Sequence, residues 1–345
     1  TISERHAAWT TCPYVGRDGQ VNPDVRLLNG PEAINSASQS IIYNAIAYAL
    51  QKTSSYSAAA TSFIDTFFLN PSTKMNPNMN FGQMVRGPGQ AGKEGTFTGV
   101  LDLRGIVKII NGIMILKAAD SPDWTAARDQ KLAAWMAQYA DWLENSLLGK
   151  RSASRPNNHA TFYVSQVIAT RVLAGDINGA TAAAQDYFSR QFLDQIAASG
   201  EQPFEAVRTR PFHYRCFNLE AMITNAKIGD QLGLNLWAVK SKYGATIQTA
   251  LDYTMRLNPK TEDVLEIMPH VAAVAAAYGD PKGLYADFMR KTMFDYQNKS
   301  FWLYDQTVAL PSSPAAQNMH KRADAWEDRI SRTNVLSSTQ SVLTV

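Results

Sequence analysis

Cysteine and histidine are scarce in this chain of 345 residues, which contains two and five of them respectively. The histidines are scattered and form no His-Glu-x-x-His pattern, and no Cys-x-x-Cys pair is present, so we expect no metal and no other cofactor. Cys12 and Cys216 either form one disulfide bond or are two buried thiols. The phosphate-binding loops of nucleotide-binding proteins and the Gly-x-Ser-x-Gly turn of serine hydrolases are missing too.

Long apolar runs and blocks of like charge are also absent. No stretch reaches the roughly 18 apolar residues that a membrane-spanning helix needs. The net charge of +3 comes without a cluster of lysine and arginine or an RNA-binding aromatic signature. We therefore expect neither a membrane protein nor a nucleic-acid-binding protein.

Two weak signals bear on where the protein acts. The chain begins with Thr1 rather than Met, as in a processed mature form or a trimmed chain. Asn298 opens an Asn-Lys-Ser glycosylation triplet, a pattern that also arises by chance. We expect a secreted, extracellular protein that is a monomer.

Apolar residues recur at helical spacing along most of the chain, and alternating strand patterns are scarce. Short links make successive helices antiparallel neighbours. We predict an all-α fold in which helical hairpins form either an open solenoid or a closed toroid, as a single domain over residues 1–345 with an irregular lead-in (1–30) and a C-terminal extension packed on it (300–345). The predicted helices are 31–51, 56–68, 102–119, 124–148, 160–174, 178–198, 216–231, 237–257, 263–278 and 281–296.

Two segments interrupt this helical pattern. The first, 74–96, is a polar stretch with five glycines, and it is longer than the roughly 12–15 residues of an ordinary connection. The second spans 199–213. Because long loops on a rigid scaffold commonly carry binding and catalytic residues, both are candidate functional segments.

The first candidate motif is Asn157-Asn158-His159, which follows Pro156 at a predicted helix start. An asparagine cap is expected there on structural grounds alone. That interpretation leaves the second asparagine and the histidine unexplained, and both would lie beside unpaired backbone N–H groups at the positive end of the helix dipole. Amide and imidazole donors in this position suit a carboxylate ligand.

The second candidate motif places Arg208, Arg210, His213 and Tyr214 within seven residues. Neighbouring guanidinium groups favour the phenolate form of a tyrosine, which would make Tyr214 a candidate base. The alternative is that His213 and Tyr214 are packing residues with satisfied polar atoms.

Arginines crowd both motifs, and aromatic residues follow near the C-terminus. The arginines either attract an anionic substrate or are solvated loop residues. Trp302 and Tyr304 either line a sugar-binding groove or belong to the core. The arginines in question are Arg151, Arg155, Arg208, Arg210 and Arg215.

The motifs taken together resemble a known family. "NNHATFY" (157–163), "RTRPFHY" (208–214) and the upstream "NMNFGQMVRGPG" (78–89) with "GTFTGVLDLRG" (95–105) look like the alginate lyase superfamily of polysaccharide lyases. The resemblance covers residues 75–230 and implies an α/α toroid. It also implies a secreted enzyme that cleaves an anionic polysaccharide by metal-independent β-elimination.

The resemblance also implies roles for individual residues. Asn158 and His159 would neutralise the carboxylate of the uronate, and Tyr214 would remove the proton at C5. An arginine assists this tyrosine in the family from a position seven residues before it, which is Val207 here, so either Arg208 or Arg210 takes that role.

Further residues are expected to contact the substrate, which is either mannuronan or glucuronan, since these polymers differ only at C2. Asn80 and Gln83 occupy a segment that the family uses near the substrate. The remaining substrate-binding candidates are Arg86, Arg155, Arg208, His213 and Tyr304.

Two other functions compete with the lyase. A glycoside hydrolase on the same toroid would need two carboxylates flanking the scissile bond. Asp102, Glu205 and Glu220 lie near the motifs, but the sequence does not pair them. The second competitor is a non-catalytic carbohydrate-binding protein.

Overall fold

The computed structural model describes residues 16–20, 28–85, 87–89 and 92–299. These residues form thirteen α-helices and no β-strand, which confirms the predicted all-α class. The helices are α1 (Gly30–Gln51), α2 (Ser54–Ile64), α3 (Ile106–Ala118), α4 (Ala126–Asn145), α5 (Leu147–Ala153), α6 (Asn158–Leu173), α7 (Ile177–Ser189), α8 (Gln191–Gln195), α9 (Pro203–Ala206), α10 (Pro211–Gln231), α11 (Ile247–Met255), α12 (Met268–Tyr278) and α13 (Leu284–Thr292). A π-helical turn, Asp65–Leu69, continues α2, and short 3₁₀ helices span Phe97–Leu103, Leu236–Ala238, Val264–Ile267 and Tyr296–Asn298.

Each of the ten predicted segments contains a helix, but some boundaries were wrong. The helix predicted over 237–257 begins only at Ile247, because Ser241 first closes a turn by accepting the backbone N–H groups of Tyr243 and Ala245. Thr246 then forms a capping box with Thr249. The helix predicted from residue 216 begins five residues earlier, at Pro211.

The helices are arranged as hairpins around a row of five. Helices α1, α3, α6, α10 and α12 pack each on the next, and α2, α7, α11 and α13 pack on the row helix that precedes them in the chain. Twelve of the sixteen residues of α6 are buried, as expected of an inner helix that has neighbours on every side. The fold is an α/α toroid, as the resemblance implied.

Two hydrophobic clusters fill the toroid. One is built around α1, α3 and α4, with Ile109 and Ile113 fully buried, and the other around α10 and α12 with Trp237. Tyr163 of α6 packs against both clusters. The site described below lies where α6 and α10 begin.

Several predictions fall outside the described residues. They concern Arg86, Tyr304, Cys12, most of the lead-in and the C-terminal extension. Cys216 is buried, and it is not bonded to any described residue. In the described part of the chain, none of the helices has the length and apolar character to cross a membrane.

Candidate active site

A groove of about 500 Å³ opens where the two candidate motifs meet. Its walls come from the first turns of α6 and α10, the 3₁₀ helix Phe97–Leu103 and the segment 16–20. Residues more than 130 positions apart in the chain therefore line one cavity. The sequence-predicted residues that it brings together are Gln83, Asn158, His159, Arg208, Arg210, His213 and Tyr214.

The start of α6 is capped by a glutamate from a distant part of the chain. Asn157 occupies the N-cap position, but its side chain makes no capping bond. The buried carboxylate of Glu205 instead accepts the backbone N–H of Asn158 at 2.7 Å, and both of its oxygens lie 3.0 Å from the side-chain Nδ2 of Asn158, which donates to them. Burial raises the pKa of Glu205, and the bonds from Asn158 oppose this effect.

The Asn158 amide is therefore oriented by Glu205. Asn158 is 1% exposed, and its Oδ1 has no hydrogen-bond partner among the described residues. An uncharged amide held in this way adds no positive charge that could neutralise a carboxylate. The role that the resemblance implied for Asn158 stays a prediction.

The start of α10 is capped in the same manner. Pro211 occupies the first turn, and the carboxylate of Glu262 accepts the N–H groups of Phe212 and His213 at 3.2 and 2.8 Å. The Nδ1 atom of His213 lies 2.6 Å from the Glu266 carboxylate. His213 thus lines the groove with one ring nitrogen already engaged.

The geometry distinguishes the two candidate helper arginines. The guanidinium of Arg208 lies over the Tyr214 ring, 3.6 Å from its centroid, whereas that of Arg210 is 5.9 Å away. Arg208 Nε also donates to Asp18 at 2.8 Å, and this bond is the main reason why the pKa of Asp18 falls to about 2. Arg208 is therefore the arginine in contact with Tyr214, and its guanidinium is held between the Tyr214 ring and the Asp18 carboxylate.

His159 is neutral in this groove at neutral pH. Burial, reinforced by the positive charges of Arg208 and Arg155, lowers its pKa to about 4. Its Nδ1 lies 3.1 Å from Asn157 Oδ1, which can only accept, so Nδ1 carries the hydrogen and Nε2 keeps its lone pair. The ring also packs on Phe97 at 5.2 Å between centroids.

The glycine-rich loop reaches the groove through two glycines in backbone contact. A Cβ atom on Gly99 would lie 2.1 Å from the carbonyl oxygen of Gly82, so only glycine permits this approach. Thr96 N–H donates to the same carbonyl at 2.9 Å. Gln83 follows directly and donates to Asp102 at 2.7 Å, and both residues line the groove.

Comparison with known proteins agrees with this geometry. The alginate lyase family model matches residues 3–262, about three quarters of the chain. The chain belongs to the alginate lyase family. It is accordingly a polysaccharide lyase. The crystal structure of an alginate lyase from Bacteroides ovatus is similar in fold, with a TM-score of 0.72 and 24% sequence identity over 80% of this chain and 74% of that one. No match was found among curated proteins.

In this alginate lyase family member, two residues predicted to bind the substrate and one of the arginines near the motifs do not line the groove. Asn80 Oδ1 accepts the indole N–H of Trp142 at 2.8 Å, outside the groove. Arg155 lies next to the groove, 4.0 Å above the Phe97 ring. Arg215 is buried and donates to Glu201 at 2.6 Å, so it is a structural arginine.

The groove also contains residues that the motifs did not reveal. Arg17 and Asp18 lie in the irregular lead-in, and Arg104 and Phe217 lie in or beside helices where they read as ordinary surface and core residues. Arg104 lies within the motif segment 95–105 and Phe217 follows Tyr214 by three residues, but Arg17 and Asp18 are far from every motif in the chain and reach the groove only through tertiary packing.

The three carboxylates that the sequence offered for a glycoside hydrolase do not come together in this groove. Asp102 lines the groove, whereas Glu205 is 1% exposed and Glu220 is not among the lining residues. Burial raises the pKa of Asp102. In the described residues, no group of three histidine, cysteine or acidic side chains could hold a metal ion.

Proposed function

We propose that this polysaccharide lyase cleaves a β-1,4-linked polyuronate, mannuronan or glucuronan, by β-elimination with Tyr214 as base and then as acid. The observation that carries the proposal is the Arg208 guanidinium over the Tyr214 ring in a groove rich in arginine. A cation at this distance stabilises negative charge on the ring that loses its proton.

The chemistry requires positive charge near the substrate's carboxylate. Removal of the C5 proton moves negative charge onto that carboxylate, so the site must neutralise it in the transition state. Arg17, Arg104 and Arg210 line the groove and have no carboxylate partner among the described residues. We assign the neutralising role to these guanidinium groups, because they carry the positive charge that the Asn158 amide and the neutral His159 ring lack.

One residue serves both proton transfers in this proposal. In mannuronate and glucuronate the C5 hydrogen and the C4 oxygen lie on the same face of the sugar. A tyrosine that removes the proton can therefore return it to the leaving oxygen without a second acid. Neutral His159, with a lone pair on Nε2, is placed to accept a hydrogen bond from a substrate hydroxyl.

The first test follows ultraviolet absorbance over time, with chelator present, on mannuronan, guluronan and glucuronan separately. Elimination creates a double bond that absorbs, whereas hydrolysis does not. A rise on one polymer supports the proposal and names the uronate. No rise on any of them, with folded protein, refutes it. Secretion and a monomeric state stay predictions.

The Tyr214→Phe variant tests the base. We expect it to lose ~10²-fold or more in kcat, because that is the usual contribution of a positioned proton-transfer group. Binding of the polymer should persist, since the ring and its contact with Arg208 remain. A variant that keeps more than about a tenth of the wild-type rate would remove Tyr214 from this role.

A further inference from the structure

Glu205 is a buried carboxylate that the reaction itself does not use. It lies in the short helix α9 and is 1% exposed. A buried carboxylate is costly unless it is hydrogen-bonded or paired with a cation. Asn158 supplies three hydrogen bonds to it, and Arg208 Nη1 lies 3.6 Å from its Oε2.

These contacts join the two halves of the active site. Asn158 begins α6 and is followed by His159, while Arg208 precedes α10 and lies over Tyr214. Glu205 contacts both Asn158 and Arg208. A shift of its carboxylate would move the turn that carries His159 relative to the arginine that touches Tyr214.

We propose that Glu205 is a positioning residue of this lyase, which locks the Asn158 amide and sets the spacing between His159 and the Arg208–Tyr214 pair. The inference rests on the proposed function, because its effect is on the elimination rate. Glu205 does not touch the substrate, since it is buried and does not line the groove.

Replacement of one atom tests this role. In Glu205→Gln an amide oxygen at the Oε1 position can still accept the backbone N–H and an Nδ2 hydrogen of Asn158. The NH₂ group that replaces Oε2, however, faces the Asn158 NH₂ group, and two donors cannot bond. We expect kcat to fall about 10²-fold, the cost of a displacement of about 1 Å in an active site, with KM changed less than about threefold.

The reciprocal substitution provides the rescue. In the double variant Glu205→Gln/Asn158→Asp the donor and the acceptor exchange places, so the introduced glutamine donates to the introduced aspartate. We expect its kcat to recover at least about tenfold relative to Glu205→Gln, a coupling that independent sites do not show.

Glu201→Gln is the matched control. Glu201 lies four residues away and accepts bonds from Arg215 at 2.6 Å and Tyr253 at 2.9 Å, away from the groove. Its loss should lower the melting temperature while kcat stays within about threefold of wild type. Circular dichroism establishes folding for every variant.

The outcomes separate the two proposals. Wild-type enzyme without any absorbance rise on polyuronates overturns both. With active wild type, a folded Glu205→Gln variant of unchanged kcat overturns only the positioning role, and so does a folded double variant that is no faster than the single one. If Glu205→Gln does not fold, a folded double variant with more than about a tenth of wild-type kcat supports the role. If neither variant folds, Glu205 is purely structural and the role is overturned.

Discussion

The charge of His159 separates two mechanisms, because an imidazolium neutralises a carboxylate and a neutral imidazole does not. The structure places this ring half-buried against Phe97, with the guanidinium groups of Arg208 and Arg155 close enough to disfavour a further positive charge. Its pKa falls from 6.5 to about 4. Titration of His159 therefore tests whether burial and the charges of Arg208 and Arg155 keep this ring neutral.

The fraction of molecules with a protonated His159 follows from this pKa shift. A pKa of about 4 means that about 0.3% of the molecules carry the imidazolium at pH 6.5, against half for an unperturbed histidine. Protonation at that pH costs about 3 kcal/mol. If the reaction needed the imidazolium, each pH unit above about 4 would cost a factor of ten in rate.

Two measurements check this expectation. An NMR titration of the ring signal, assigned by its absence in His159→Gln, should have its midpoint near pH 4. The ratio of wild-type to His159→Gln kcat/KM should stay constant between about pH 5.5 and 7.5, because every other ionisable group is present in both proteins and its effect cancels. A midpoint near 6.5, or a ratio that falls about tenfold per pH unit, would refute the reasoning.

Two further predictions concern the fold. Burial and the nearby Lys227 lower the pKa of His270 to about 4 in the folded protein. Between about pH 6.5 and 4 the histidine therefore binds a proton in the unfolded chain but not in the folded one. The free energy of unfolding consequently falls as the pH falls through that window. Chemical denaturation should show that His270→Gln reduces this loss by about 3 kcal/mol, and an equal loss in both proteins would contradict the burial of an uncharged ring. Gly99→Ala should lower the free energy of unfolding by about 1–3 kcal/mol in the same chemical denaturation, since its Cβ would meet the Gly82 carbonyl. Gly30→Ala is the control and should have little effect, because a Cβ there would have no such atom within 4 Å.

The helical architecture was largely predictable because helix formation depends on neighbours in sequence. Apolar residues three and four positions apart define the buried face of each helix, and the ten predicted segments all contain one. Boundaries were less predictable where tertiary contacts set them, as at Pro211, whose helix start depends on Glu262 some fifty residues later.

The site was predictable in its members but less so in their contacts. The motifs identified Asn158, His159 and Tyr214, and the groove contains all three. The choice between Arg208 and Arg210 needed the structure, because the two lie at nearly equal distances from the tyrosine along the chain and at 3.6 and 5.9 Å from its ring in space.

The sequence by itself determined that this chain is a series of helical hairpins with two polar motifs at helix starts, since local periodicity carries that information, and the resemblance to the alginate lyase superfamily implied the toroid. Only the tertiary structure decided which group caps each helix. Asn157 was the expected cap of α6, yet Glu205 takes that place and binds the Asn158 amide as well. The reason is physical: a hydrogen bond forms with whichever acceptor the packed helices bring within 3 Å, and distance along the chain does not specify that.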